Sequence, residues 1–117
     1  MKNQNFYRRL LFSLNGIRSA WKSEISFRTQ TVITALVIIA LIFLRPSVQW
    51  TAIFTLIIGA TLASELLNTA LEYMIDVLHP GLHPQIGKAK DCAAAAVLVL
   101  SLSSILIFLL FLYDKFC

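Results

Sequence analysis

The chain has 117 residues, of which 58% are hydrophobic and 14% charged, with a formal net charge of +4. A soluble domain carries about 25% charged residues, so this composition excludes an ordinary water-soluble fold and points to the bilayer. The basic excess gathers where membrane topology requires it and no recognised nucleic-acid motif accompanies it, so it gives no ground for a nucleic-acid partner.

From Phe6 to Lys22 the apolar residues Phe6, Leu10, Leu14, Ile17 and Trp21 recur at intervals of three and four, while Arg8, Arg9, Asn15, Arg18 and Lys22 take the other side. This spacing predicts an amphipathic surface helix over 6–22 on the inner leaflet, the bland alternative being a packing helix in a soluble bundle. Lys2, Arg8, Arg9, Arg18, Lys22 and Arg28 stand at or before the first apolar span against a single acid, Glu24. Basic flanks resist translocation, so the N-terminus is expected in the cytoplasm. No small-residue cleavage site follows the first apolar run, and the span is expected to be retained.

Three membrane helices are predicted, over 27–44, 48–78 and 91–113, the last long enough alone to cross the roughly 30 Å hydrocarbon core. Pro46 closes the first, and Arg45 to Gln49 form a tight external turn. His79, Pro80, Gly81 and Pro84 break the second into a cytoplasmic connection reaching Lys88 and Lys90, and Asp91 is a candidate N-cap for the third. Three crossings leave the C-terminus outside. Gly59, Ala60, Ala63 and Ser64, and Ala93 to Ala96, make small-residue faces suited to close helix packing. Cys92 and Cys117 bracket about 25 residues of helix, roughly 37 Å, too far for a shared disulfide or metal. The whole is one domain, 1–117, of all-α membrane class.

The second span ends in "SELLNTALEYMID". At 3.6 residues per turn Glu65, Asn68, Thr69, Glu72 and Asp76 share one face. A carboxylate at the bilayer centre costs about 2.5 kcal/mol or more, so the stripe should face protein, water or a metal. Its place at the inner end of the span suits a site where a water-soluble molecule meets a lipid headgroup. Glu24 lies at a similar depth, and Lys90 can act as a point charge for phosphate. Carboxylates from two helices, a lysine and an asparagine together suggest a magnesium-phosphate site. Two other readings remain open for the stripe alone: interhelical glue, or the lining of a cation path in a channel or transporter subunit. With only Gly16, Gly59, Gly81 and Gly87 available, neither a Walker loop nor a kinase glycine-rich loop can be written.

"SELLNTALEYMID" followed by "GKAKDCAAAAVLVLSL" resembles the paired signature of the small prokaryotic diacylglycerol kinases, and "NGIRSAWKSEISFR" is similar to their N-terminal segment. The resemblance covers roughly residues 8–110. It implies a homotrimer of three-helix subunits, each with a surface helix, in the bacterial cytoplasmic (inner) membrane, moving the γ-phosphoryl of MgATP onto the hydroxyl of diacylglycerol to give phosphatidic acid and ADP. Glu65 matches the family's general base, and Glu24 and Glu72 its Mg2+-binding glutamates. Asn68, Lys90 and Asp91 match polar residues around the phosphates, and Gly81, Leu82 and His83 a nucleotide-contacting stretch. Arg28 matches a family arginine of open role. Gram-negative relatives are expected to carry a tyrosine and a tryptophan near Phe12 and Leu14 and an arginine upstream, near Asn5; Arg8 and Arg9 are candidates to replace that arginine. Gram-positive relatives phosphorylate undecaprenol, the alternative acceptor, although "WKSEISFR" resembles the diacylglycerol enzymes more closely.

Overall fold

The computed structural model describes residues 5–81 and 83–117, so Lys2 and Leu82 lie outside the described residues. Among the described residues four helices follow one another: α1 (Phe6–Ser23), α2 (Ile25–Leu44), α3 (Val48–Leu78) and α4 (Pro84–Phe116). The last three are long and apolar enough to cross a membrane. At 1.5 Å per residue the 31 residues of α3 and the 33 of α4 run about 46 and 50 Å, well beyond a hydrocarbon core of roughly 30 Å. Long stretches of both rods must therefore stand outside it.

Between lipid-bathed helices the hydrophobic effect supplies little attraction, so packing and hydrogen bonds must hold them. At one end of the α3–α4 pair, Phe54 and Phe111 meet edge to face at 5.4 Å, and Trp50 meets Phe111 at 5.5 Å. Such aromatic pairs contribute about 0.5–1.5 kcal/mol each beyond their burial. The Trp50 Nε1–H donates to Asp114 Oδ2 at 2.8 Å, closing that end. Further along, Thr61 and Ser104 hydroxyls meet at 3.2 Å, and Gln30 Nε2 of α2 donates to Ser101 Oγ at 2.7 Å. Only Phe27 is buried along α2, and many of its other apolar side chains, Val32, Leu36, Ile39, Ile42 and Phe43 among them, are exposed within this chain. A Cβ at Gly59 would likewise meet nothing within 4 Å, so the small-residue face there is not used between helices of one chain.

The helix bounds correct the sequence reading at one functionally important place. The expected third membrane helix over 91–113, capped by Asp91, instead opens at Pro84 and runs to Phe116. His83 is its N-cap, with Nδ1 accepting from the Gln85 N–H at 3.1 Å. Proline in the first turn needs no N–H and already has a helical φ, so Pro84 starts a helix here and breaks none. Asp91 consequently lies within the second turn, exposed, and Gly87, Lys88 and Lys90 are helical too. Smaller differences bring α1 to Ser23 and start α2 at Ile25.

The turn between α2 and α3 carries a strained residue. Arg45 adopts φ 51°, ψ 66°, the left-handed conformation, with its N–H donating to Leu41 O at 2.9 Å. A side chain with a Cβ pays for that conformation, whereas glycine does not. Arg45→Gly should therefore raise stability by about 0.5–1 kcal/mol, after the greater freedom of glycine in the unfolded chain is subtracted. Reversible unfolding in detergent checks this, and a loss of stability would show that Arg45 makes contacts outweighing the strain.

Candidate active site

The site is organised by an interruption in the chain. Helix α1 stops at Ser23 and α2 begins at Ile25, leaving Glu24 as the one extended residue between them, at φ −118°, ψ 111°. Its N–H donates to Ala20 O at 2.9 Å and its carbonyl accepts from the Arg28 N–H at 3.2 Å. With both backbone groups satisfied and no capping bond from its side chain, the carboxylate is free to reach elsewhere. Across the junction, Tyr73 of α3 hydrogen-bonds through its hydroxyl to Ser23 Oγ, and also donates to Ser19 O at 3.4 Å. This clasp pins the end of α1 beside the residue that follows Glu72.

Glu24 and Glu72 lie within hydrogen-bonding reach of one another. The Glu24 carboxyl is pushed above the ordinary glutamate range, first by desolvation and then by the neighbouring Glu72 charge and the hydrogen bond the two share, with Glu65 and Asp76 adding to the repulsion. Two carboxyls in such contact share a proton or recruit a cation.

Deeper along α3, Glu65 is 1% exposed and is the largest fully buried side chain among the described residues. Ser26 Oγ, in the first turn of α2, donates to Glu65 Oε1 at 2.7 Å. Thr69 is buried as well and spends its hydroxyl on Glu65 O at 2.9 Å. Asn68 and Glu72 are half-buried and Asp76 is exposed, so the stripe passes from a dry interior to an open end. The Asn68 amide donates from Nδ2 to Glu72 Oε1 at 3.5 Å, while its Oδ1 is buried without a partner among the described residues. Such an atom costs about 1–3 kcal/mol unless something fills its lone pairs.

Among the described residues no three His, Cys, Asp or Glu side chains form a ready-made metal cage. The donors on offer are two carboxylates in contact and one unsatisfied amide oxygen. That set fits magnesium, a hard cation that takes one or two carboxylates and completes its shell with water and phosphate oxygens.

The other residues singled out from the sequence make no side-chain hydrogen bond to this acidic group among the described residues. Lys90 is half-buried and Asp91 exposed on α4. Gly81 is an exposed bend, and His83 caps α4 with its ring 5.4 Å from that of His79. Arg8, Arg9 and Phe12 are exposed on α1, and Arg28 is half-buried at the start of α2. On either side of α1 lie two open clefts of about 520 and 540 Å³, the first lined in part by Gly16, Ala20, Leu66 and Tyr73, the second by Trp21, Phe27 and Leu66. Both are mainly apolar. Ser26 and Tyr73 were missed as site-forming groups. The only available hint was that Ser26 stands two residues after Glu24.

A model of the prokaryotic diacylglycerol kinase family matches residues 11–112. The chain belongs to that family. It is 33% identical over 111 residues to the undecaprenol kinase of Bacillus subtilis (strain 168), covering 94% of this chain and 89% of the relative. It is similar to the diacylglycerol kinase of Escherichia coli (strain K12), 27% identical over 105 residues, 90% and 86% of the two chains. It also resembles the diacylglycerol kinase of Helicobacter pylori (strain ATCC 700392 / 26695), 32% identical over 98 residues, 82% and 75% of the two. Family membership supports a lipid kinase and displaces the channel reading of the acidic stripe.

A raised carboxyl favours its protonated form in the fold, so its contribution to stability is full at low pH and is lost as pH rises through the raised value. Glu24→Gln removes that loss. In metal-free detergent the variant should melt at a higher temperature than the parent, by a margin that widens as pH rises above the ordinary glutamate range. A constant margin across pH would mean that Glu24 and Glu72 do not repel each other in the folded protein.

Proposed function

We propose that this chain transfers the γ-phosphoryl group of ATP to the hydroxyl of diacylglycerol, giving phosphatidic acid and ADP at the cytoplasmic face of the membrane. The observation that carries the reading is the buried Glu65 on the same face of α3 as Glu72, which Glu24 approaches from the α1–α2 junction, where an apolar helix passes from a dry interior to an open end. Phosphoryl transfer depends chiefly on alignment and charge neutralisation, with a base to take the alcohol proton. Glu65 is the proposed base, close enough to the apolar region to meet a lipid hydroxyl.

Glu24 and Glu72, with Asn68 Oδ1 nearby, would hold magnesium. When bound there, the ion supplies positive charge against the phosphates of the nucleotide. Lys90 adds a second cationic group, and Asp91, Gly81 and His83 complete the proposed nucleotide side. Arg8, Arg9, Phe12 and Arg28 are assigned to the substrate-facing side without individual roles.

The apolar positions Phe6, Leu10, Leu14, Ile17 and Trp21 of α1 are all exposed, which supports laying that helix on the inner leaflet. The basic residues around α1 favour a cytoplasmic N-terminus, and three crossings then carry the C-terminus outside. A homotrimer with shared sites is part of the proposal, because α2 presents an unpartnered apolar surface that a second copy of the chain could cover. Undecaprenol is the second acceptor reading, favoured by the 33% identity to a protein of that name.

Purified protein in mixed micelles, given labelled ATP and each lipid in turn, should phosphorylate diacylglycerol with the higher kcat/KM; preference for undecaprenol would reverse the assignment. Glu65→Gln should lower turnover by about 10²–10⁴-fold and leave MgATP affinity unchanged. Near-normal turnover in that variant would remove Glu65 as the base. Glu72→Gln should raise the magnesium concentration needed for half-maximal rate, and an unchanged metal titration would count against its ligand role.

A further inference from the structure

Serine and threonine hydroxyls on these helices mostly bond backward to their own backbone. Thr31 donates to Phe27 O at 2.8 Å, Thr61 to Ile57 O at 2.7 Å and Ser103 to Val99 O at 2.8 Å. Ser26 behaves differently. Four residues before it lies Lys22, on the far side of the break at Glu24, and its hydroxyl instead crosses to α3 and donates to Glu65 Oε1 at 2.7 Å. Among the described residues this is the one side-chain hydrogen bond that Glu65 receives.

We propose that Ser26 is the positioning residue for Glu65, fixing one carboxylate oxygen so that Oε2 is presented to the hydroxyl of the lipid substrate. This rests on the reading of Glu65 as the base. The geometry divides the carboxylate's two oxygens. Oε1 is occupied by a donor, and a hydrogen-bonded oxygen is a poorer proton acceptor than its free partner. A glutamate side chain has three rotatable bonds, and one strong tether from a neighbouring helix removes much of that freedom before substrate arrives. Misplacing a reacting group by about 1 Å can cost up to about a hundredfold in rate.

The junction also couples the two halves of the site. Glu24 and Ser26 stand two residues apart at the start of α2, and they reach Glu72 and Glu65 respectively. On α3 those partners lie seven residues apart, about 10.5 Å along the axis. One short segment therefore touches both the proposed base and the acidic pair, whose spacing α3 fixes.

The test uses the full chain in lipid–detergent micelles, with kcat and KM measured for both substrates. Ser26→Ala should lower kcat roughly ten- to a hundredfold while KM for MgATP and for lipid stays within about twofold, and Ser26→Thr, which keeps the hydroxyl, should restore most of the rate. Glu65→Asp pulls the carboxylate back from Ser26, so adding Ser26→Ala to it should cost little more. An unchanged kcat in Ser26→Ala overturns the proposal. So does an equal further loss in the Glu65→Asp background, which would mean that Ser26 acts independently of Glu65. Glu65→Gln separates the two failures: if it is inactive while Ser26→Ala is normal, only the positioning role falls, whereas an active Glu65→Gln removes the base itself.

Discussion

A carboxylate with almost no exposure must have a partner, and the arrangement of this chain's inner end follows from that requirement. Isolated burial of an ionised group is far too costly to persist, and a charge-assisted hydrogen bond is the least that offsets it. At Glu65 the partner comes from another helix, which obliges α2 to begin where Ser26 can reach. The extended residue at Glu24 makes that possible: it ends α1, turns the chain, and restarts the helix one residue later. Tyr73 then fixes the end of α1 so that the turn does not drift.

The same stripe accommodates two electrostatic problems with two solutions. Toward the dry end Glu65 is held singly by a hydroxyl. Toward the open end Glu24 and Glu72 face each other, and desolvation, with the Glu72 charge added to it, raises the proton affinity of Glu24. Water and cations can reach the second place far more readily than the first. The proposed division of labour between a base and a metal-holding pair follows this gradient of exposure along α3, whose open end Glu24 meets from the α1–α2 junction.

Much of this was legible in the sequence because helical periodicity is a local property. The common face of Glu65, Asn68, Thr69, Glu72 and Asp76 follows from their spacing alone, and the three apolar spans from their length. The family signature was legible for the same reason, being carried by short runs. The start of α4 is not legible in the same way, because a proline breaks a helix in its interior and starts one in its first turn, and the cap from His83 that decides between the two shows only in the fold. Ser26 and Tyr73 were invisible for another reason. Their partners lie 39 and 50 residues away in the chain, and no period in a single sequence announces a contact between helices whose rotation about their own axes is set by packing.

The early start of α4 changes the mechanical character of the segment bearing the lysines. Between the end of α3 and Pro84 only five residues intervene, so Lys88 and Lys90 ride on a stiff lever and do not belong to a supple flap. Two positions apart on a helix, they project about 200° apart around the axis, so a single anion can meet both ammonium groups only through the reach of their long side chains.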